Sequence, residues 1–299
     1  MTCVRSYRES MAEFSRMKTL ELWYYTLVLD DLVATIKNPV VRRRAVARIQ
    51  KERARSVAFD IFPKLVEHKG EMPVIKDQLP AIFHAEGHAP GDVQKTVMDA
   101  FAGYRETLPP STRALLDRFE IRDAAVKVVG IGSVGTACWV LLLMAGDDDP
   151  LFLQIKEARA SVLEPYAGAT VFANHGQRVV NGYRVMQPAS DMFLGYTRGP
   201  KRDFFIRQLR DIKISARVEI FGASEMSLYA TWCGRALALS HARSGNSVTL
   251  SGYMGKSDTF DRAIAAFSMA YADQNAKDHA ALQRAVRSGK VKAVFEEAK

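Results

Sequence analysis

Apolar residues follow two different patterns along the chain, and the change of pattern marks its organisation. Helical spacing covers residues 7–37, 93–106, 111–119, 171–186, 224–241 and 257–286. Short apolar runs rich in β-branched and large side chains instead predict strands at 124–131, 136–144 and 151–156, and two more near 192–196 and 203–209. Because Gly- and Asp-rich turns separate the first three runs, we expect an antiparallel meander.

The predicted fold class is therefore α+β, with a small antiparallel sheet flanked by helical N- and C-terminal regions. We expect a helical region at 1–120, a small antiparallel-sheet lobe at 121–212 and a helical region at 213–299. Glycine and proline punctuate residues 68–92, which are predicted to be irregular, and a Gly/Ser loop is predicted between the last two helices.

Composition narrows the class of protein. With 48% hydrophobic and 25% charged residues, the chain is typical of globular proteins and unlike a disordered or fibrous chain. Its longest uncharged apolar run, residues 137–146, is about half of the roughly 20 residues that a membrane-spanning helix needs. Charges near the N-terminus stand where a signal peptide has its apolar core. Cys3, Cys138 and Cys233 are odd in number and widely spaced, which predicts free thiols and a cytoplasmic location.

The chain has a formal charge of +9, and much of the excess positive charge lies in a basic segment at 41–55. On a helical period its apolar residues gather on one side and predict an amphipathic helix with a basic outer face; they are Val41, Ala45, Val46 and Ile49. Two interpretations stay open: the basic face is only solvated, or it contacts an acidic partner such as the phosphates of a nucleic acid. The arginines that would make those contacts are Arg42, Arg43, Arg44 and Arg48.

One glycine-rich motif carries candidate chemistry. Gly130-Ile131-Gly132-Ser133-Val134-Gly135 fits the pattern G-x-G-x-x-G, which occurs in dinucleotide-binding folds and in the glycine loop of kinases. The first context requires a helix after Gly135, whereas the following TACWVLLLM favours a strand. In the second, the loop joins two antiparallel strands, and its glycines let backbone amides approach phosphate oxygens. A hairpin turn without function is the third interpretation.

A lysine on the third predicted strand supports phosphate binding. Lys156 ends the run LQIK, which is similar to the V-A-I-K element whose lysine pairs with the α- and β-phosphates of ATP. With a period of two, it shares a strand face with Phe152 and Gln154. Gln208 follows near the end of the last predicted strand, where we expect the base pocket. The candidate nucleotide-binding residues are Gly130, Gly132, Ser133, Gly135, Lys156 and Gln208.

Six segments in order resemble the DUF2252 family, a bacterial family of unassigned function whose pattern is similar to kinase-like phosphotransferases. They are GIGSVGTACWVLLL, LFLQIKEARASVLEPYAG, ANHGQRVVNGYRVMQPASDMFLGY, FFIRQLRDIKIS, CGRALALSHARSGN and FDRAIAAFSMAYADQNAKDHAAL. The resemblance, which covers residues 4–291, implies a kinase-like fold with ATP and Mg²⁺ as ligands. Family members usually begin with a further region that carries a His/Asp/Asn loop and an acidic element. This sequence lacks that region, so we expect a C-terminal portion or a member without its catalytic segment.

The residues themselves also predict binding rather than transfer. Phosphoryl transfer needs metal ligands and a group that positions the acceptor. The segment most similar to a kinase catalytic loop is HARSGN at 241–246, but Arg243 stands where such a loop has an aspartate. Two interpretations of this segment stay open: a helix-ending turn or a ligand-contacting loop. The predicted helix at 171–186 has no glutamate to pair with Lys156. His84 and His88 stand four residues apart but are interpreted as surface residues, so neither a metal site nor a catalytic residue is predicted.

We therefore expect a nucleotide-binding protein that is a truncated or inactive phosphotransferase. The alternative is a non-catalytic interaction module that binds an acidic partner through the basic helix.

Overall fold

The computed structural model describes residues 1–53, 62–70, 72–84, 90–128, 135–209 and 216–293. Its helices are α1 (Thr2–Phe14), α2 (Thr19–Tyr24), α3 (Leu29–Ala34), α4 (Pro39–Arg53), α5 (Phe62–Leu65), α6 (Pro90–Glu106), α7 (Pro110–Leu116), α8 (Glu164–Ala167), α9 (His175–Met186), α10 (Ala223–Ser244), α11 (Ser247–Met254) and α12 (Thr259–Arg287). Its strands are β1 (Val66–Lys69), β2 (Met72–Ile75), β3 (Ile82–Phe83), β4 (Glu120–Lys127), β5 (Cys138–Met144), β6 (Pro150–Ala158), β7 (Gly195–Arg198) and β8 (Asp203–Gln208). Helices and small antiparallel sheets together confirm the predicted α+β class.

Local side-chain chemistry sets several helix starts. The Asn174 side chain accepts a hydrogen bond from the Gln177 N–H at the start of α9. Asn246 caps α11 in the same way, through the Thr249 N–H. The predicted Gly/Ser loop between the last two helices is therefore wrong, because the asparagine cap starts a helix of eight residues there.

Two N-terminal predictions also need correction. The helical pattern at 7–37 is divided among α1, α2 and α3, and α2 begins where the Lys18 N–H donates to the Glu21 carboxylate. Residues 68–92, predicted to be irregular, contain β3 and most of a hairpin in which Val66 pairs with Ile75. Each of these strands has four residues or fewer, too few for a period of two to be recognised.

The larger sheet has the strand order β3-β4-β5-β6-β8-β7, and all its neighbouring strands are antiparallel. The predicted meander is confirmed as β4, β5 and β6. One face of the sheet packs against α6, α7 and the segments around them, through Tyr104, Leu108, Leu116, Leu141, Leu143, Leu151, Leu153, Phe193 and Ile206. The other face packs against the β1–β2 hairpin, through Val66, Ile75, Ile82, Ala125, Val140, Leu142, Met144 and Phe152.

The chain forms two compact units. One joins the two ends of the chain, Met1–Tyr24 and Val218–Lys299, and in it α1 packs against α10, α11 and α12. The other, Tyr25–Arg217, contains both sheets. Among the helices in the described ranges, none combines the length and the apolar character that crossing a membrane requires.

Candidate functional site

The glycine motif lies in the connection between β4 and β5. Gly130, Gly132 and Ser133 fall outside the described residues, so the structure describes only the downstream end of the motif. Gly135 has φ +81°, a conformation that favours glycine. Strand β5 begins three residues later, at Cys138. A dinucleotide-binding motif would require a helix at this point, so that interpretation is wrong.

Two side chains from the end of β6 hold the downstream end of the motif. The Ala137 N–H donates to Glu157 Oε2 at 2.8 Å, and the Arg159 guanidinium donates to the Gly135 carbonyl. Arg159 also pairs with Glu157, whose side chain is only 5% exposed. The hydrogen bond from Arg159 lowers the pKa of Glu157, and the hydrogen bond from the Ala137 N–H and the charge of Arg202 lower it further. Together they outweigh burial, which raises this pKa. The carboxylate is therefore ionised at neutral pH and anchors the end of the loop.

Lys156 lies beside the first residue of β5. Its partner in the antiparallel register is Cys138, while Gln154 pairs with Val140 and Phe152 with Leu142. The alternation predicted from the sequence is thus present: Phe152, Gln154 and Lys156 share one face. The structure brings Lys156 next to the strand that leaves the glycine motif.

Two further cations join Lys156 on this face. Ala125 of β4 packs in the same apolar cluster as Phe152, so it lies on the face that carries Lys156. Lys127 is two residues further along β4 and therefore shares that face. Arg207 pairs with Gln154 across β6 and β8, and its guanidinium donates to Gln154 Oε1 at 3.2 and 3.3 Å. We call this group the cationic cluster: Lys127, Cys138, Gln154, Lys156 and Arg207.

The cationic cluster concentrates positive charge around a buried thiol. Burial raises the pKa of Cys138, against the opposing charges of Lys156, Lys127 and Arg207 and a hydrogen bond from Gln154. Burial also lowers the pKa of Lys127, because a cation is costly to desolvate. Within the described ranges, no carboxylate forms an ion pair or a hydrogen bond with any of the three cations. An anion is therefore the ligand that this arrangement would stabilise.

Gln208, the last residue of β8, lies on the opposite face of the sheet from Lys156. It pairs with Leu153, so the register directs its side chain to the opposite face of the sheet. Its backbone N–H donates to Asp191 Oδ2 at 2.6 Å. Residues 210–215, which follow it, lie outside the described residues.

Helix α9 packs on the face that carries Lys156. The rings of Tyr183 and Phe205 have centroids 6.1 Å apart, and Phe205 pairs with Lys156 in the sheet. The helix begins close to β8, because a Cβ on Gly176 would lie 2.1 Å from the Phe204 carbonyl oxygen. No acidic residue occurs in α9, so this helix supplies no glutamate to Lys156.

Arg243 has a structural role. Helix α10 continues through it to Ser244, and its guanidinium lies 4.2 Å from the centroid of the Trp23 ring while donating to the Trp23 carbonyl. The side chain is buried, and burial lowers its pKa. Of the two interpretations of residues 241–246, the helix-ending turn is the one observed.

The basic helix is present as α4. Arg42, Arg43 and Arg44 are exposed, whereas Arg48 is half-buried. The expected apolar side is only partly formed, since Ile49 is buried but Val46 is exposed.

Comparison with known families assigns the chain to one of them. The model of DUF2252, described as an uncharacterized protein conserved in bacteria, matches residues 1–285. The chain belongs to the DUF2252 family. No curated protein and no solved structure matches the chain. The description of DUF2252 names no activity.

Sequence reasoning missed several residues that the fold of this DUF2252 protein assembles. Neither Lys127 nor Arg207 is a candidate binding residue from the sequence alone, and only the strand register brings them to Lys156. His84 lies between two carboxylates, with Nδ1 2.8 Å from Asp77 Oδ1 and Nε2 3.1 Å from Asp123 Oδ2, while His88 is outside the described residues. Among the described residues, no three or more His, Cys, Asp or Glu form a group able to hold a metal ion.

Proposed function

We propose that this DUF2252 protein binds a nucleotide in a kinase-like arrangement, with its phosphates held by the glycine motif and the cationic cluster. The observation that carries the proposal is the pairing of Cys138 with Lys156. It sets a lysine of the third meander strand beside the end of a glycine-rich connection between the first two. A glycine loop and a lysine so arranged bind ATP phosphates in protein kinases.

ATP with Mg²⁺ is the proposed ligand. Lys127, Lys156 and Arg207 supply positive charge that none of the described carboxylates neutralises, and the amides of Gly130, Gly132, Ser133 and Gly135 would approach the phosphate oxygens. Mg²⁺, when bound with the nucleotide, neutralises phosphate charge. Gln208, at the end of β8, remains the proposed neighbour of the base.

Ligand-induced stabilisation tests the proposal. At about ten times its Kd, ATP should stabilise the protein by about 1.4 kcal/mol. Lys156→Ala should abolish this gain, while Lys64→Ala, which removes an exposed lysine that is not part of the cationic cluster, should keep it. Equal stabilisation of the parent and Lys156→Ala by ATP, measured by thermal unfolding, would contradict the proposal.

Binding without efficient transfer is the second part of the proposal. Arg243, in the segment most similar to a catalytic loop, is packed on Trp23 inside its own compact unit. The protein should therefore bind ATP weakly and transfer no phosphoryl group to small hydroxyl or amine acceptors. Turnover that disappears in Lys156→Ala would refute this part while supporting nucleotide binding.

The exposed arginines of α4 support the alternative function, binding of an acidic partner. Arg42, Arg43 and Arg44 are exposed at three consecutive positions of α4. If they contact phosphates, binding to DNA or RNA should fall steeply between about 50 and 200 mM salt. No binding at the lower salt concentration would leave the basic face as a solvated surface.

We also propose a cytoplasmic location. Cys3, Cys138 and Cys233 are free thiols, as expected in a reducing compartment. Cys138 lies within the cationic cluster, so its oxidation would alter the proposed site. Fractionation of the native host, probed with an antibody to the protein, tests the location.

A further inference from the structure

A polar cavity lies near the glycine motif, in the compact unit that contains the sheets. Its volume is about 470 Å³, and it is formed by the end of β6, the start of α9 and the turn between β7 and β8. Four cationic side chains line it: Arg159, Arg198, Lys201 and Arg202. The volume falls in the range of small-molecule sites, and the charged lining favours a polar ligand over an apolar one.

Positive charge exceeds negative charge in this cavity. Two carboxylates line it, Glu157 and Asp203. Arg159 and Arg202 both pair with Glu157, at 2.6 and 3.0 Å, whereas Arg198 pairs with Asp203 at 2.9 Å. Four cations against two carboxylates leave two positive charges when the histidine of the cavity is neutral.

One buried polar atom of the cavity has no partner. His175 lines the cavity as the first residue of α9, and its ring Nδ1 is buried without a hydrogen bond to any described residue. The His175 backbone N–H donates to Asp203 Oδ2 at 2.8 Å, which fixes the start of the helix. Buried polar atoms are normally hydrogen-bonded, and a helix N-terminus favours an anion. The free ring nitrogen therefore indicates a ligand that accepts or donates a hydrogen bond there.

Lys201 is the cation most available to such a ligand. It is exposed in the turn between β7 and β8, and no carboxylate among the described residues pairs with it. The three arginines are held in place by their carboxylates, so their unused N–H groups are already oriented. The Lys201 ammonium group and the N–H groups of the three arginines thus line a cavity that has a net positive charge.

We propose that this cavity binds a phosphomonoester, as the phosphate group of a small polar metabolite. A phosphomonoester carries about −1.5 to −2 charges at pH 7, which matches the two excess positive charges, and its three oxygens accept hydrogen bonds. Lys201 and His175 contact the phosphate directly, and Arg159 and Arg202 add positive charge around Glu157. No residue of the cationic cluster lines this cavity, so the two sites are separate.

Inorganic phosphate is the probe for the test, without any nucleotide. Calorimetric titration at low ionic strength, with chloride as the balancing anion, should detect binding to the full chain. Lys201→Gln and His175→Gln should each weaken it about tenfold, because each removes a hydrogen bond to a charged group. Lys64→Gln, an exposed lysine of α5 outside the cavity, should bind phosphate as the parent does.

Three results would overturn the proposal. The first is no phosphate binding by the parent protein at low salt. The second is unchanged binding in both Lys201→Gln and His175→Gln, with circular dichroism showing that both variants fold. The third is phosphate binding that depends on Lys156, which would locate the anion at the cationic cluster. None of these results depends on whether ATP binds, so the proposal and the proposed function can fail separately.

Discussion

At the scale of single residues, Lys127 belongs to no sequence motif, and its place in the sheet is what brings it to the candidate site. The sequence around it, AAVKVVG, reads only as a strand. The register then brings it near Cys138 and Lys156, where burial lowers its pKa. A half-buried lysine near two other cations is held at a cost in stability, as is common for residues that bind a ligand.

Lys127→Met should therefore raise stability and weaken nucleotide binding together. Methionine keeps most of the side-chain volume and removes a desolvated charge, so we expect a gain of about 1 kcal/mol in the free energy of unfolding. The stabilisation that ATP provides should shrink in the same variant. Urea unfolding with and without ATP measures both quantities. A variant that is less stable yet binds ATP normally would contradict this account.

The pKa of His84 is also shifted by its surroundings. Burial lowers its pKa, but the hydrogen bonds and charges of Asp123 and Asp77 outweigh that effect and raise the pKa above its ordinary value. A raised pKa in the folded state means that the stabilisation is complete below the unfolded pKa, about 6.5, and is lost as pH rises through the folded value.

The comparison of the parent with His84→Gln isolates this contribution. The parent should exceed His84→Gln in unfolding free energy by about 1 kcal/mol or less at pH 5.5, since the pair is partly exposed and screened by solvent. The difference should diminish by pH 8.5. Urea unfolding at the two pH values measures it, and a difference that stays constant with pH would disprove the role given to protonated His84.

At the scale of elements, α9 depends on one close approach to the sheet. Its two glycines have different surroundings: a Cβ on Gly176 would lie 2.1 Å from the Phe204 carbonyl oxygen, whereas a Cβ on Gly182 would meet nothing within 4 Å. Phe204 belongs to β8, which neighbours the strand of Lys156. The start of the helix is thus fixed by backbone contact that only glycine allows.

Alanine at the two glycines should have opposite effects. Gly176→Ala should destabilise the protein by about 1–3 kcal/mol, because the helix must move away from β8. Gly182→Ala should stabilise it by about 0.5–1 kcal/mol through helix propensity alone. Chemical unfolding of the two variants tests this, and destabilisation of similar size at both positions would show that the space around Gly182 is not open.

At the scale of the whole molecule, the two ends of the chain form one compact unit. Arg8 of α1 forms a two-point ion pair with Asp261 of α12, with both N–O distances at 2.9 Å. Asp261 is fully buried and the Arg8 side chain is 11% exposed. Tyr7 also bonds His241, and Glu13 bonds Arg235. Segments more than 200 residues apart in sequence are thereby held together.

Asp261→Asn should destabilise this unit strongly. Removing one partner of a buried ion pair leaves an uncompensated charge, at a cost of about 3–5 kcal/mol. Asp258→Asn, in a pair that is exposed on the surface, should change stability by less than about 0.5 kcal/mol. Trp23 and Trp232 lie in this unit and Trp139 in the other, so fluorescence in a Trp139→Phe background reports on the unit of the chain ends. Equal effects of the two asparagine variants would refute the role of the buried pair.

The sequence by itself determined the elements whose signals are local. Short apolar runs located β5, β6 and the β7–β8 pair, and 3.6-residue periods located α9, α10 and α12. The face shared by Phe152, Gln154 and Lys156 followed from alternation alone. The strand character of the chain after Gly135 was visible as well, because β-branched and aromatic side chains at the start of that run disfavour a helix.

Only the tertiary structure decided which distant residues meet. Strand register brings Lys127 and Arg207 to Lys156. Helix packing places Arg243, which the sequence offers as a possible loop residue, against the Trp23 ring. The division predicted at 1–120, 121–212 and 213–299 follows secondary structure along the chain, whereas the compact units join residues 1–24 with 218–299. The physical reason is the same in each case: periodicity reports the environment of a residue within its own element, and pairing between elements depends on long-range packing that leaves no local signal.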